Sequence, residues 1–252
     1  MTTPLALCYH FLSERWECEL SVTPHRFEQQ LAALKRRGFR AVTFTELVEG
    51  VDADRAVAIT FDDGYQPTIE LAEPILSSYE MPATLFVPTA FPGSEGPMLM
   101  AGSSVTPWLG TDHEAELQGV SWEEIGRLAD TGWEIASHTR THPRLTELDD
   151  ESLEIELRGS LEDCERELGA PCRSIAYPYG DIDARVVAVA RRTGYVAAAG
   201  YSRWLPRTPD PLAFPRSGIY HSDHPARFAL KVSPTVRHLR ATLGPQPPEA
   251  DQ

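Results

Sequence analysis

Short apolar runs alternate with longer amphipathic stretches along most of this chain. Residues 5–9, Leu-Ala-Leu-Cys-Tyr, have the length and composition of a buried strand. Thr23 then stands as an N-cap and Pro24 as the first helical residue, with Phe27, Leu31 and Leu34 on one face and Gly38 as the stop. A strand near 41–44 and a short helix from Thr45 follow. The pattern continues with a strand at 56–61, a helix over 68–79 and a strand at 83–87. Ser121 and Glu124 form a capping box for a helix that turns Trp122, Ile125, Leu128 and Ala129 inward and stops at Gly132. It leads into a strand ending at Ser137. The longest helix begins near Asp149 and carries Leu153, Leu157, Leu161, Cys164 and Leu168 on one stripe before Gly169. A strand at 174–177, a helix at about 183–193 and a strand at 195–199 complete the regular part.

Repeated strand–helix units call for a parallel sheet, and their number points to one closed or nearly closed into a barrel. Right-handed crossovers then place every strand's C-terminal tip on one face. Two segments break the alternation. Residues 88–119 are rich in Gly, Pro, Ser and Met and too long for an ordinary connection, so they read as a rim loop or lid, or as a tolerated insertion. Residues 244–252 read as a disordered tail. The expected organisation is one catalytic domain over residues 1–243, followed by that tail.

Length fits this picture, since 252 residues can bury one substantial core. Lys plus Arg number 23 against 37 Asp plus Glu, for a net charge of −14, so nucleic acid and anionic membrane are repelled as partners. No apolar stretch is long enough to span a bilayer, and the first fifteen residues lack a basic leader, so a cytoplasmic location is expected unless a leader has been removed. The four cysteines (Cys8, Cys18, Cys164 and Cys172) form no Cys-x-x-Cys pair and are too sparse for a disulfide framework; they read as thiols, with Cys8 and Cys164 on apolar faces.

The chemistry gathers at the expected strand tips. Asp62 and Asp63 close the run Ala-Val-Ala-Ile-Thr-Phe, and His138 and His142 follow the run that ends at Ser137. Tyr177-Pro-Tyr-Gly180 and Tyr9-His10 sit at two further tips. Taken singly, Asp-Gly is an ordinary turn pair and two histidines four apart are ordinary surface residues. Taken together, two imidazoles and one carboxylate are a frequent ligand set for a catalytic zinc with a position left open for water and substrate. Adjacent carboxylates diverge, so one acid can be a ligand and the other a base for the cation-acidified water. A backbone N–H in the Pro178-Tyr179-Gly180 turn can meet an oxyanion, and a histidine can protonate a leaving amine. The set suits metal-assisted hydrolysis of an amide or ester.

Thr60-Phe-Asp-Asp-Gly64, His138-x3-His142 and Tyr177-Pro-Tyr-Gly180, in that order, resemble the three leading motifs of the polysaccharide deacetylases, carbohydrate esterase family 4. The resemblance runs from about Leu5 to Lys231. It implies an α/β fold, a distorted, TIM-like (β/α) barrel of seven or eight parallel strands. It implies further that Asp62 is the general base, that Asp63, His138 and His142 hold one divalent metal ion, with zinc the default, and that Tyr179 donates its N–H to the oxyanion. The chain departs from the family where many members carry an arginine two residues before the third-motif proline, for Ala176 stands there. Arg216, in Phe214-Pro-Arg216, is expected to replace that arginine beside the base and the substrate, as in a branch of the family with an N-terminal Tyr-His motif. The same branch makes His10 the favoured acid, with His221 as the alternative. Trp108 and Trp204 are expected either to stack on a sugar or to pack.

The activity so implied is removal of an acetyl group from an N-acetylated amino sugar or a related saccharide or glycoconjugate. The same chemistry on a cyclic imide or formamide is a second reading, and a catalytically silent saccharide-binding module a third. Nothing in the sequence bears on oligomeric state.

Overall fold

The computed structural model describes residues 5–51, 55–100, 108–201 and 210–243. Its strands are β1 (Leu5–Tyr9), β2 (Phe11–Leu12), β3 (Ser21–Val22), β4 (Arg40–Val42), β5 (Ala56–Phe61), β6 (Thr84–Val87), β7 (Glu134–Ser137), β8 (Ser174–Ala176), β9 (Ala197–Tyr201) and β10 (Phe214–Gly218). The helices are α1 (Pro24–Arg36), α2 (Phe44–Glu49), α3 (Gln66–Tyr79), α4 (Trp122–Asp130), α5 (Asp150–Leu168), α6 (Ala184–Thr193), α7 (Pro225–Lys231) and α8 (Pro234–Leu243).

Eight parallel strands run in the order β1-β10-β9-β8-β7-β6-β5-β4, and β1 also pairs with β5. That last pairing closes a ring of seven. β4 stays outside the ring because it holds the first half of one edge of β5, through Arg40, Ala41 and Val42, while β6 takes the second half at Thr60 and Phe61. This is the TIM-like (β/α) barrel of seven or eight strands expected above, with seven in the ring.

Side chains alternate across the barrel wall. Leu5, Leu7, Tyr9, Val57, Ile59, Phe61, Leu85 and Val87 face outward and are buried with helix residues such as Phe27, Leu31, Ile69 and Leu76. The inward set is unusually small: Ala6, Ala58, Ala136, Ala176, Ala197 and Ala199, filled out by Phe44, Phe86 and Phe214. Phe44 meets Phe86 and Phe214 edge-on at ring distances of 5.4 and 5.7 Å. Below them the Glu134 carboxylate accepts from Thr45 N at 3.0 Å, Thr84 Oγ1 at 3.0 Å and Ser174 Oγ at 2.6 Å, and also from the Thr45 hydroxyl. It forms a polar floor.

The structure departs from the sequence reading at two strands. The strand expected at 41–44 ends at Val42, because Thr43 caps α2 by accepting from Glu46 N while Glu46 reaches back to Thr43 N. Cys8 is buried, on the inner, alanine-lined face of the barrel, where its thiol donates to Asp62 Oδ2 at 3.4 Å. β10 had no strand signature, since Phe-Pro-Arg-Ser-Gly is neither apolar nor regularly alternating.

The described parts of 88–119 pack onto the rim: Met98, Met100 and Leu117 are buried with Phe11, Trp16 and Tyr65. Trp108 stands edge-on to Trp16 at 5.2 Å and to His113 at 5.4 Å, a packing arrangement. Trp204 and the tail at 244–252 lie outside the described residues. Among those described, no helix is long and apolar enough to cross a membrane.

Candidate active site

Register and backbone bring the strand tips together. β1 and β5 pair Tyr9 with Phe61, so His10 and Asp62 leave the barrel side by side, tied by Asp62 N donating to Tyr9 O at 3.0 Å. The inward alternation through Ala58 and Thr60 reaches Asp62, while Asp63 turns away in the left-handed region at φ 72°. Thr139, His142 and Tyr179 are left-handed too, at φ 65°, 63° and 60°, and the one other such non-glycine residue described is Glu80. Each costs about 1–2 kcal/mol. Strain held at four positions in one place marks a site whose geometry the surrounding packing enforces.

Asp63, His138 and His142 bring three ligand atoms within 4.8 Å of one another, all buried. Asp63 Oδ1 lies 3.5 Å from His138 Nε2 and 3.4 Å from His142 Nε2, and it is buried without a hydrogen bond. His138 Nδ1 donates to Ala176 O at 2.7 Å, which aims its Nε2 at Asp63. Burial and the nearby His138 push the His142 pKa down to about 4, so its imidazole is neutral at pH 7. Burial opposes ionisation of Asp63, but the His138 and His142 imidazoles offset it and hold its carboxyl below the usual range. An ionised, hydrogen-bond-free buried oxygen facing two imidazole nitrogens fits a divalent cation.

Asp62 is held differently. Arg216, on the inner face of β10, donates from its two terminal nitrogens to Asp62 Oδ1 and Oδ2 at 2.6 and 2.7 Å. The same guanidinium donates to Thr60 Oγ1 at 3.0 Å and lies 5.1 Å over the Phe86 ring. Burial would raise the Asp62 pKa, but Arg216 and, less strongly, His138 hold it well below the usual carboxylate range. His10 Nε2 and His138 Nε2 each sit 3.9 Å from Asp62 Oδ2. Ala176 fills the inward position on β8, and the guanidinium arrives from β10 instead.

The structure thus brings together Asp62, Asp63, His138, His142, His10 and Arg216. Tyr179 joins them through its ring, 4.8 Å from that of His142, and its turn follows Tyr177, whose hydroxyl donates to Leu212 O at 2.9 Å. The His221 backbone is tied to other segments: its N–H donates to Glu19 O at 2.8 Å and its carbonyl accepts from Arg26 Nη1 at 2.6 Å.

Sequence reasoning missed the support of the histidine loop. Glu156 and Asp163 on α5 are nearly buried, and they accept from Arg140 and Thr141 and from Arg140 and Thr89 respectively. The available signal was a polar row (Glu156, Ser160, Asp163) at helical spacing beside the apolar stripe of α5. Arg144, stacked 4.5 Å over the Tyr179 ring, was missed as well.

Comparison with known proteins places this arrangement. A family model described as polysaccharide deacetylase matches residues 49–198. YxkH of Bacillus subtilis (strain 168) is 27% identical over 194 residues, 75% of this chain and 61% of that protein. The poly-beta-1,6-N-acetyl-D-glucosamine N-deacetylase of Staphylococcus aureus (strain MSSA476) is 26% identical over 199 residues, 74% of this chain and 63% of that protein. This chain therefore spans under two thirds of those curated relatives. Among solved structures, the Streptococcus pyogenes deacetylase PplD in complex with acetate shares the fold at TM-score 0.75 and 21% identity, covering 91% of this chain and 97% of that one. With the family model matching more than half of its length, and the barrel and motifs arranged as described, the chain belongs to the polysaccharide deacetylases of carbohydrate esterase family 4.

Proposed function

We propose that this protein is a metal-dependent hydrolase that removes the acetyl group from an N-acetylated amino sugar or a related saccharide or glycoconjugate. The observation that carries the reading is Asp63 Oδ1, buried and without a hydrogen bond between two imidazole nitrogens, next to a second carboxylate fixed by Arg216. Asp63, His138 and His142 would hold the cation, zinc by choice of donor set, and it would supply Lewis acidity and an acidified water.

The chain's own groups do the rest. Arg216 keeps Asp62 ionised and oriented, so Asp62 Oδ2 is free of a proton when the attacking water must lose one. The Tyr179 N–H donates to the acetyl oxygen as negative charge develops there. His10 Nε2, across from the same Asp62 oxygen, delivers a proton to the departing amine nitrogen. Water adds to the acetyl carbon, the C–N bond breaks, and acetate and the free amino sugar leave.

The test is metal content of the purified protein together with acetate release from a panel of N-acetylated saccharides, run beside a cyclic imide and a formamido sugar. Asp62→Asn is expected to keep its metal and lose turnover by about 10²–10⁴-fold. His138→Ala is expected to lose the metal. Full activity in either variant refutes the assignment, and preference for the imide or the formamide replaces the substrate class.

A further inference from the structure

The two histidines bound a five-residue segment, and the backbone between them has its polar groups accounted for almost entirely. His138 N donates to Val87 O at 2.8 Å, Thr139 N to Ser137 Oγ at 3.1 Å and His142 N to Thr139 Oγ1 at 3.1 Å. On the other side, Thr139 O and Arg140 O accept from Thr89 N and Ala90 N, each at 3.0 Å. The remaining two N–H groups, of Arg140 and Thr141, both donate to one atom, Glu156 Oε2, at 2.8 and 2.9 Å. Glu156 Oε1 accepts from the Thr141 hydroxyl at 2.6 Å.

Glu156 lies outside the barrel wall, on α5, and touches none of the proposed ligands. One turn further along α5, Gly159 leaves room for the Arg140 side chain: a Cβ there would come within 2.5 Å of Arg140 Cδ. Arg140 Nε then reaches Asp163 Oδ2 at 2.9 Å, and Thr89 Oγ1 donates to that same oxygen at 2.9 Å. One face of α5 therefore grips the loop from Thr139, left-handed at φ 65°, to His142, left-handed at φ 63°. A chain held in that conformation at both ends relaxes once its central N–H groups lose their acceptor.

We infer that Glu156 is a positioning residue for the cation site: its carboxylate, by accepting both central N–H groups of the 139–141 segment, sets the separation and aim of the His138 and His142 imidazoles and hence the affinity for a divalent ion. The inference rests on the reading that Asp63, His138 and His142 bind metal. One oxygen of this side chain accepts both N–H groups and the other faces a hydroxyl that can donate or accept, so glutamine could replace the carboxylate and only a side chain without an acceptor, such as leucine, removes the contact. Outer groups of this kind typically change metal affinity by about 10–100-fold.

The test is zinc affinity, measured by competition with a chromophoric chelator, for wild type, Glu156→Leu and Thr141→Val, with thermal unfolding of each metal-free protein recorded alongside. Leu153→Ala, fully buried on the same helix and away from the loop, controls for loss of α5 packing. Glu156→Leu is expected to bind zinc about 10–100-fold more weakly. Thr141→Val, which gives up only the hydroxyl contact, should fall between it and wild type, and it carries the test if Glu156→Leu does not fold. Leu153→Ala should lose stability and keep its zinc affinity. In metal-free protein, Glu156→Leu should also speed amide exchange at Arg140 and Thr141 ahead of the rest of the barrel. Wild-type zinc affinity in both loop variants, or an equal loss in Leu153→Ala, overturns the inference and leaves the metal reading standing. A wild-type protein that binds no divalent ion overturns both.

Discussion

Replacing Arg216 with methionine removes the guanidinium from a carboxylate that is 2% exposed, while keeping most of the volume under Phe86. Breaking one side of a buried ion pair costs about 3–5 kcal/mol because the remaining charge is left uncompensated. The imidazoles of His10 and His138, both 3.9 Å from Asp62 Oδ2, stand too far away to take over two hydrogen bonds of 2.6 and 2.7 Å. Asp62 can escape the penalty by taking up a proton. From an unfolded pKa of about 3.9, and at about 1.36 kcal/mol per pH unit, that route costs about 4 kcal/mol at pH 7. Both routes give about 3–5 kcal/mol at neutral pH, or roughly 6–20 °C in Tm for a chain of this size.

The pH dependence identifies the cause. In the wild type the Asp62 pKa is depressed, so its contribution is complete above the unfolded pKa near pH 4 and is lost below it as the folded carboxylate protonates. In Arg216→Met the folded pKa rises above the unfolded one. The cost therefore grows with pH above about 4 and fades as the pH falls towards it. Urea denaturation of both proteins between pH 4.5 and 7.5, with chelator present so that no bound cation replaces the guanidinium, should show the gap widening with pH. A gap that stays constant across this range would refute the electrostatic reasoning and leave only lost packing.

Glu134→Leu should leave the acceptor-dependent Thr45 N–H and the Thr84 and Ser174 hydroxyls without their carboxylate, lowering stability by about 2–4 kcal/mol in chemical denaturation. Because this floor lies at the far end of the barrel from Asp62, kcat should stay within about twofold of wild type, and a collapse of kcat would contradict that separation. For Asp163, burial raises the pKa and hydrogen bonds from Thr89, Arg166 and Arg140 more than offset it, leaving it lowered. Its contribution is thus present above about pH 4 and is lost as the pH falls through the folded pKa. Asp163→Asn should be less stable than wild type at pH 7 and show a shallower acid limb, and an unchanged limb in an acid titration followed by circular dichroism would count against the pairing.

The alternation of strands and helices was legible because its local signals agree: Thr23-Pro24, the Ser121–Glu124 box and the Gly169 stop each set an element boundary by short-range hydrogen bonding or backbone preference. Boundaries failed where two local preferences competed, as at Thr43, where capping of α2 cut the preceding strand short. β10 was illegible because a strand buried in a closed parallel ring need not alternate or be apolar when one of its inward residues is an arginine paired with a carboxylate. Glu156 escaped notice for a related reason: a glutamate on a helix normally faces water, and only the loop above it makes it an acceptor.

By itself the sequence determined the fold class, the placement of Asp62, Asp63, His138 and His142 at strand tips, and the family, because these depend on period, punctuation and motif spacing within single segments. Tertiary structure decided the rest: that seven strands close the ring, that β10 brings Arg216 to Asp62 across the space Ala176 leaves open, and that His10 stands by Asp62. Those outcomes depend on which strands become neighbours, and barrel closure sets that through pairings between segments as distant in sequence as β1 and β10.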